Sequence, residues 1–252
     1  MKKKFLSVVL SGIFLLASLV SAAEIQSGGY IEVEEIQYYE QGKSLNELRR
    51  MAEMRAQRKL IEEIGDVHIS SVTIMKNEML DDTIKSSVEK TVHGVKVTVT
   101  RDHENNFIAT ARLNLYGGAN SIANIVVPKN IKQEPFPKPL VMNIDTNYTG
   151  LIINCSGQNL STAILPKIQS ASGEEIYSFK YLDRNTVVAR GMVNYSENAS
   201  EVSRAGNNPL TVQALFVQGD CDIIVSDDDA QKILAANQKS KFLNNCMVVV
   251  VK

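Results

Sequence analysis

The sequence contains no tryptophan, and aromatic residues make up only 6% of its 252 positions. So few flat aromatic surfaces argue against a carbohydrate- or base-stacking site. Histidine occurs three times, as His68, His93 and His103. None stands four residues from another and none has metal-ligand spacing, so they read as surface or strand-edge residues. Cysteine also occurs three times, as Cys155, Cys221 and Cys246. No His or Asn arrangement supports any of them as a nucleophile. There is no G-x-S-x-G elbow, no P-loop, no G-x-G-x-x-G and no paired-carboxylate motif in a recognisable setting. The chain is therefore expected to be no enzyme, with no catalytic residue, no cofactor and no metal site.

A block of cations is missing as well. The chain carries 27 Lys and Arg against 28 Asp and Glu. Without residues 1–23 the balance becomes 24 to 28, because that stretch holds three lysines and no acid. A weakly acidic protein without clustered cations is a poor partner for a phosphate backbone, so no nucleic acid is expected. No apolar run beyond residue 23 is long enough to span a bilayer.

Residues 1–23 read as a secretory signal. Lys2–Lys4 form a positive start, Phe5–Val20 an apolar core, and Ser21-Ala22-Ala23 the small residues of a cleavage site. The alternative is an uncleaved N-terminal anchor. No cysteine stands at or just after the cut, which removes lipid attachment there. The mature protein is expected in the periplasm or outside the cell, without a lipid anchor and without an integral membrane segment.

The rest has an ordinary globular composition, 44% hydrophobic and 22% charged. Its longest amphipathic stretch is Ser44–Gly65. Ser44 and Glu47 form a capping box. Leu45, Leu48, Ala52, Ala56, Leu60 and Ile64 recur at helical spacing, and Gly65 suits a left-handed C-terminal stop. The alanines at the centre of that stripe allow close approach to a sheet. The arginines beside it raise an anion-binding face, but the pairs Arg58–Glu62 and Lys59–Glu63 favour a solvated one.

Around this helix, Tyr30–Tyr38 reads as a strand. Asp66–Met75 reads as a strand whose alternation slips at Ser70-Ser71, which predicts a bulge or bend. Leu80–Val92 reads as a weaker helix. After Gly94 comes a hairpin: one strand with Val95, Val97 and Val99 on one face, a loop at Asp102–Asn106, and a partner strand at Phe107–Tyr116. The order β-α-β-α-β-β predicts an α+β domain over residues 24–127.

Pro128, Pro135, Pro137 and Pro139 are four of the six prolines in the chain. Residues 128–139 therefore read as an extended, semi-rigid linker crossed by few contacts. Residues 140–252 form a second α+β domain. Its expected strands are Leu140–Ile144, Gly150–Cys155, a hairpin over Pro166–Phe179 turning at Ser170–Gly173, Thr186–Tyr195 and Leu210–Val217. Glu197–Arg204 is a loop or a short helix. The chain closes with a strand–helix–strand unit, its helix at Asp227–Gln238 and its strands expected to be parallel. Each domain is thus expected to be a mainly antiparallel sheet under one or two helices.

Asp227–Asp229 raises a cation site, but Ser226 with Asp229 is a second capping box, and acids in a first helical turn complement the helix dipole. Cys221 and Cys246 begin the two strands of the closing unit. A disulfide between them is possible if those strands are neighbours and out of reach if a strand lies between. Asn-x-Ser/Thr triplets such as Asn147–Thr149 and Asn198–Ser200 read as composition rather than glycosylation sites.

The alanine-bearing helix at Ala52, Ala56 and Leu60, then Gly65, the Val67–Ile74 stretch and the hairpin after Gly94, resemble the module of the LPP20 lipoprotein family. They are similar also to the N-terminal module of flagellar assembly protein T. The second half is similar to a module that follows it in some secreted bacterial proteins. That likeness rests on Tyr148–Ile153, Pro166–Ile168, Gly173–Tyr177, Gly206–Leu210 and Asp222–Ser226. The resemblance implies an envelope or flagellum-associated protein whose partners are envelope or flagellar basal-body proteins. It does not carry over membrane anchoring, since the lipidation cysteine of the lipoprotein branch is missing. The alternative is a periplasmic small-ligand or cation-binding protein, with Asp227–Asp229 or the inter-domain groove as the site.

Overall fold

The computed structural model describes residues 29–70, 73–74, 82–130, 132–140, 144–197 and 203–252. The expected secretory signal, the Asn198–Ser200 triplet and most of the strand expected at 140–144 lie outside them.

The first half begins with β1 (Tyr30–Gln37) and α1 (Leu45–Gly65). Ser44 caps α1, its hydroxyl accepting from the Glu47 amide at 3.2 Å. Leu48, Ala52, Ala56, Leu60 and Ile64 are buried along one stripe. Leu45, the first helical residue, is 38% exposed. The expected left-handed stop at Gly65 is not formed. Gly65 stays helical and buried, and Asp66 closes the helix in right-handed conformation, its amide shared between the carbonyls of Glu63 and Ile64.

Then come β2 (His68–Ser70), β3 (Thr73–Ile74), α2 (Asp82–His93), β4 (Val97–Arg101), β5 (Phe107–Asn114) and the short α3 (Ile122–Val126). The antiparallel sheet has the order β1-β5-β4, and α1 lies across it. The register sets Ile31 opposite Leu113, and sets both Val33 and Val97 opposite Ala111. Ala109 and Ala111 on the central strand, like Ala52 and Ala56 on the helix, are fully buried. Small residues on both sides let helix and sheet close up, while Leu48, Leu60 and Ile64 fill the ends. Burial of each of these three contributes about 1.5–3 kcal/mol. The hairpin loop forms as expected: the Asp102 carboxylate accepts from the amides of Glu104 and Asn106 at 2.8 and 2.9 Å. Around the slip expected at Ser70-Ser71, β2 and β3 pair antiparallel, Ser70 opposite Thr73, with a register irregularity between His68 and Ser70.

The second half contains β6 (Gly150–Asn154), β7 (Ile168–Ser170), β8 (Glu175–Tyr177), α4 (Arg184–Arg190), β9 (Asn194–Ser196), β10 (Pro209–Gln213), β11 (Phe216–Gln218), β12 (Asp222–Val225), α5 (Asp227–Ser240) and β13 (Val248–Val251). The α+β class holds, but its sheets are not mainly antiparallel. One sheet, β10-β6-β13-β9, is wholly parallel, and the other, β11-β12-β7-β8, is mixed. The continuous apolar runs of β6, β12 and β13 fit strands covered on both faces. The hairpin at Ser170–Gly173 is present, with the Gly173 amide on the Ser170 carbonyl at 2.9 Å.

Three further expectations are corrected. Thr186–Arg190 is helix, not strand: Asp183 caps it by accepting from the Thr186 amide at 2.8 Å, and that local bond outweighs the β preference of Thr186, Val187 and Val188. Leu210–Val217 is divided between β10 and β11, which belong to different sheets. The strands flanking α5 also lie in different sheets, so β12 and β13 are not a parallel pair.

The prolines do not mark a contact-poor linker. The Glu134 amide donates to the Lys180 carbonyl at 2.8 Å, and the Gln133 side chain to the Tyr181 carbonyl at 3.0 Å. Phe136 lies against the rings of Tyr177 and Tyr181, with centroids 6.5 and 5.0 Å away. The segment is extended, yet strapped onto the second half.

The two halves also touch directly. The carbonyls of His68 and Ile69 accept from the amides of Ile164 and Leu165 at 3.0 and 2.7 Å. The Gly117 amide donates to the Val188 carbonyl at 3.0 Å. The Arg184 guanidinium reaches the carbonyls of Asn124 and Val127 at 2.9 and 3.3 Å. Tyr116 lies against Gly191, where a Cβ would stand 2.8 Å from the ring. Most of the buried apolar residues, from Ile31 in the first half to Val250 in the second, form one continuous cluster; Ile152, Ala205, Val249 and Val251 form a small second one.

Two outcomes follow from this packing. A Cβ on Gly150 would meet the Met247 carbonyl at 2.7 Å and the Ala205 carbonyl closer still. Backbone cannot swing aside as a side chain does, so Gly150→Ala lowers the free energy of unfolding by about 1–3 kcal/mol, read from the urea midpoint. Tyr116→Ala removes a ring from the shared core and costs about 3 kcal/mol, while calorimetry of the parent chain gives one transition. Two well-separated transitions in the parent would contradict a shared core.

Candidate functional site

α1 carries a second stripe beside its buried one. Met51, Met54 and Ile61 recur at steps of three and seven residues, with Arg55 and Arg58 among them. Together with Gln57 and His93 they line a groove of about 640 Å³ where the end of α2 meets α1. The Gln57 side-chain amide donates to the His93 carbonyl at 3.4 Å and ties the two helices together there. Met51 and Ile61 rest on the core, whereas Met54 is 68% exposed.

The charges around this groove are unequally matched. Arg49 pairs with Glu53 at 3.2 Å, Arg58 with Glu62 at 3.2 Å, and Lys59 with Glu63 at 2.8 Å. The pairs Arg58–Glu62 and Lys59–Glu63 are those expected from the spacing. The first two are exposed and add little stability, whereas the Glu63 carboxylate of the third is only 14% exposed. Arg50 and Arg55 have no ion-pair partner among the described residues. The lining contains two arginines and a histidine and no carboxylate.

A second groove, of about 510 Å³, lies in the other half. Tyr148, Ile144, Leu210 and Ala235 give it an apolar floor, and Asp145, Asp228 and Lys232 stand at its edge. A third space, of about 290 Å³, separates the proline strap from α5.

The acidic triplet is largely taken up by the fold. Ser226 accepts from the Asp229 amide at 3.0 Å and donates to the Asp229 carboxylate at 2.8 Å. Lys232 reaches the other Asp229 oxygen at 3.4 Å. The Asp227 carboxylate accepts from the Ser172 amide at 2.9 Å, and that bond holds its carboxyl below the usual range. Asp228 alone faces the second groove. Among the described residues, no three His, Cys, Asp or Glu side chains gather as a metal-binding group.

The histidines stand apart: His68 at the junction of the halves, His93 at the α1 groove, His103 in the exposed hairpin loop. The His68 ring Nδ1 is buried without a hydrogen-bond partner among the described residues. The cysteines are three separate, buried thiols. Cys221 and Cys246 precede strands of different sheets, so the neighbouring arrangement their bridge requires is not formed. The Cys246 carbonyl instead accepts from Arg204 Nε at 2.7 Å, and the same guanidinium reaches the Gly191 carbonyl at 2.5 Å. Arg204 carried no signal in the sequence. Its partners are backbone carbonyls that only the fold gathers.

Burial pushes the Cys155 and Cys221 thiols up to about 12 from an ordinary 9.0. Below pH 9 both folded and unfolded chains keep these protons, and the thiols leave stability unchanged. Between pH 9 and 12 the unfolded chain loses them while the folded chain holds them, so stability falls by about 1.4 kcal/mol per pH unit for each thiol. Urea titrations across this window should show a shallower fall for Cys155→Ala than for the parent. An unchanged slope would contradict the burial effect.

Among the described residues, no helix is long and apolar enough to cross a membrane. No curated protein matches the chain. Residues 150–252, from β6 through β13, match the family model described as Treponema pallidum Tp0624, second domain.

Proposed function

We propose that this chain is a non-catalytic interaction and assembly module of a secreted bacterial envelope protein, binding other envelope or flagellar basal-body proteins. The observation that carries the reading is the methionine-lined groove on α1. Met51 and Ile61 rest on the core with part of their surface, but Met54, 68% exposed beside them, extends the apolar stripe outward where the fold itself does not cover it. Flexible methionines at such a place suit a macromolecular partner, because their unbranched side chains adapt to the shape that covers them. The secretory signal supports the envelope setting. So does the family match, whose description names a domain of a bacterial protein. The likeness of the first half to the LPP20 and flagellar assembly protein T modules points to the same compartment and belongs to the same proposal.

The groove beneath Tyr148 and Leu210 supports a second reading, a small-ligand-binding protein. Its Asp145 and Asp228 carboxylates and its Lys232 ammonium suit a ligand with both charge signs. A thermal-shift screen against zwitterionic metabolites that leaves the midpoint unmoved removes this reading.

For the leading proposal, a photo-cross-linking residue is placed at Met54 and, as a control, at the exposed Lys129. The expected outcome is an adduct in intact cells at Met54 with an envelope or basal-body protein identified by mass spectrometry, and none at Lys129. The same adducts at both positions, or none at either, would overturn it.

A further inference from the structure

We infer that the α1 groove receives an acidic amphipathic helix of the partner protein; this rests on the interaction reading above and names the partner's chemistry. Three observations lead there. The first is length. Met51 to Ile61 covers about 15 Å of helix axis, room for roughly three turns of a second helix laid alongside. The second is spacing. Met51, Met54, Arg58 and Ile61 fall at steps of three, four and three, a ridge along the helix into which side chains of another helix interdigitate. The third is charge. Arg55 and Arg58 on α1 and His93 on α2 stand around the apolar floor, and no carboxylate lines it. The chain as a whole is weakly negative, so a lining with two arginines and no carboxylate departs from the chain's average.

The complementary surface has apolar side chains at i, i+3, i+4 and i+7, with Asp or Glu on both flanks. A carboxylate there reaches Arg55, which has no ion-pair partner among the described residues, and competes with Glu62 for Arg58. An anionic bilayer presents negative charge too. It fits less well, because the apolar floor is a groove between two helices rather than a convex face that could sink into a bilayer.

The probe is a fluorescent designed helix of about 14 residues, with leucines at those spacings and glutamates on the flanks. A second peptide replaces every glutamate with lysine, and vesicles of anionic phospholipid form a third arm. Binding to the purified full chain is followed by anisotropy for the peptides and by co-sedimentation for the vesicles. The parent chain should bind the glutamate peptide at least about tenfold tighter than the lysine peptide. Arg55→Glu combined with Arg58→Glu should reverse that order. Both arginines are exposed, so the unfolding midpoint should stay put, and Met54→Ala should weaken both peptides alike.

Equal binding of the two peptides, or binding of neither, overturns the inference. So does binding of vesicles without binding of peptide. If a Met54 cross-link persists in cells while the glutamate preference fails, the partner's chemistry is wrong and the interaction reading stands. If both fail, both fall.

Discussion

The close packing of α1 on the β1-β5-β4 sheet governs the first half of this protein. Ala52 and Ala56 on the helix and Ala109 and Ala111 on the central strand are all fully buried, small residues that let the two layers close up. Such close approach allows only a narrow buried stripe. The residues just beside it, Met51 and Ile61, touch the core with part of their surface, and Met54 is left outside. The groove is thus a consequence of how tightly the helix is seated.

A second constraint joins the halves. Tyr116 rests on Gly191, the β2 carbonyls pair with Ile164 and Leu165, and Arg184 holds the carbonyls at the end of α3. The proline segment adds Phe136 against two tyrosines. These contacts differ in kind, but each uses backbone groups or flat rings that tolerate no gap. The result is one apolar cluster under two α+β layers. A partner bound on α1 would therefore be carried by a body that includes the second half's parallel sheet.

Much of the local structure was legible because it depends on neighbours in sequence. Ser44 and Ser226 cap their helices through bonds three residues away. The Asp102–Asn106 loop closes on its own carboxylate, and the Ser170–Gly173 turn on its own carbonyl. The stripe Leu48–Ile64 has the period of a helix, and its burial followed. Legibility stopped where a weak local signal competed with another. Thr186–Val188 has β-branched side chains, yet Asp183 caps a helix there. Leu210–Val217 has the pattern of one strand, yet Ala214 and Leu215 pass it from one sheet to another. The methionines of α1 were individually unremarkable, and only their meeting with His93 across two helices makes a groove.

By itself, the sequence determined the α+β class, both main helices with their caps, the secretory expectation and the absence of any familiar catalytic motif. Each of these rests on composition or on spacings of a few residues. Only the tertiary structure decided that the closing strands belong to different sheets, that Cys221 and Cys246 stay apart, that the prolines strap rather than separate, and that one flank of α1 remains open. Those outcomes depend on which distant surfaces win the competition for burial, and no short spacing records that.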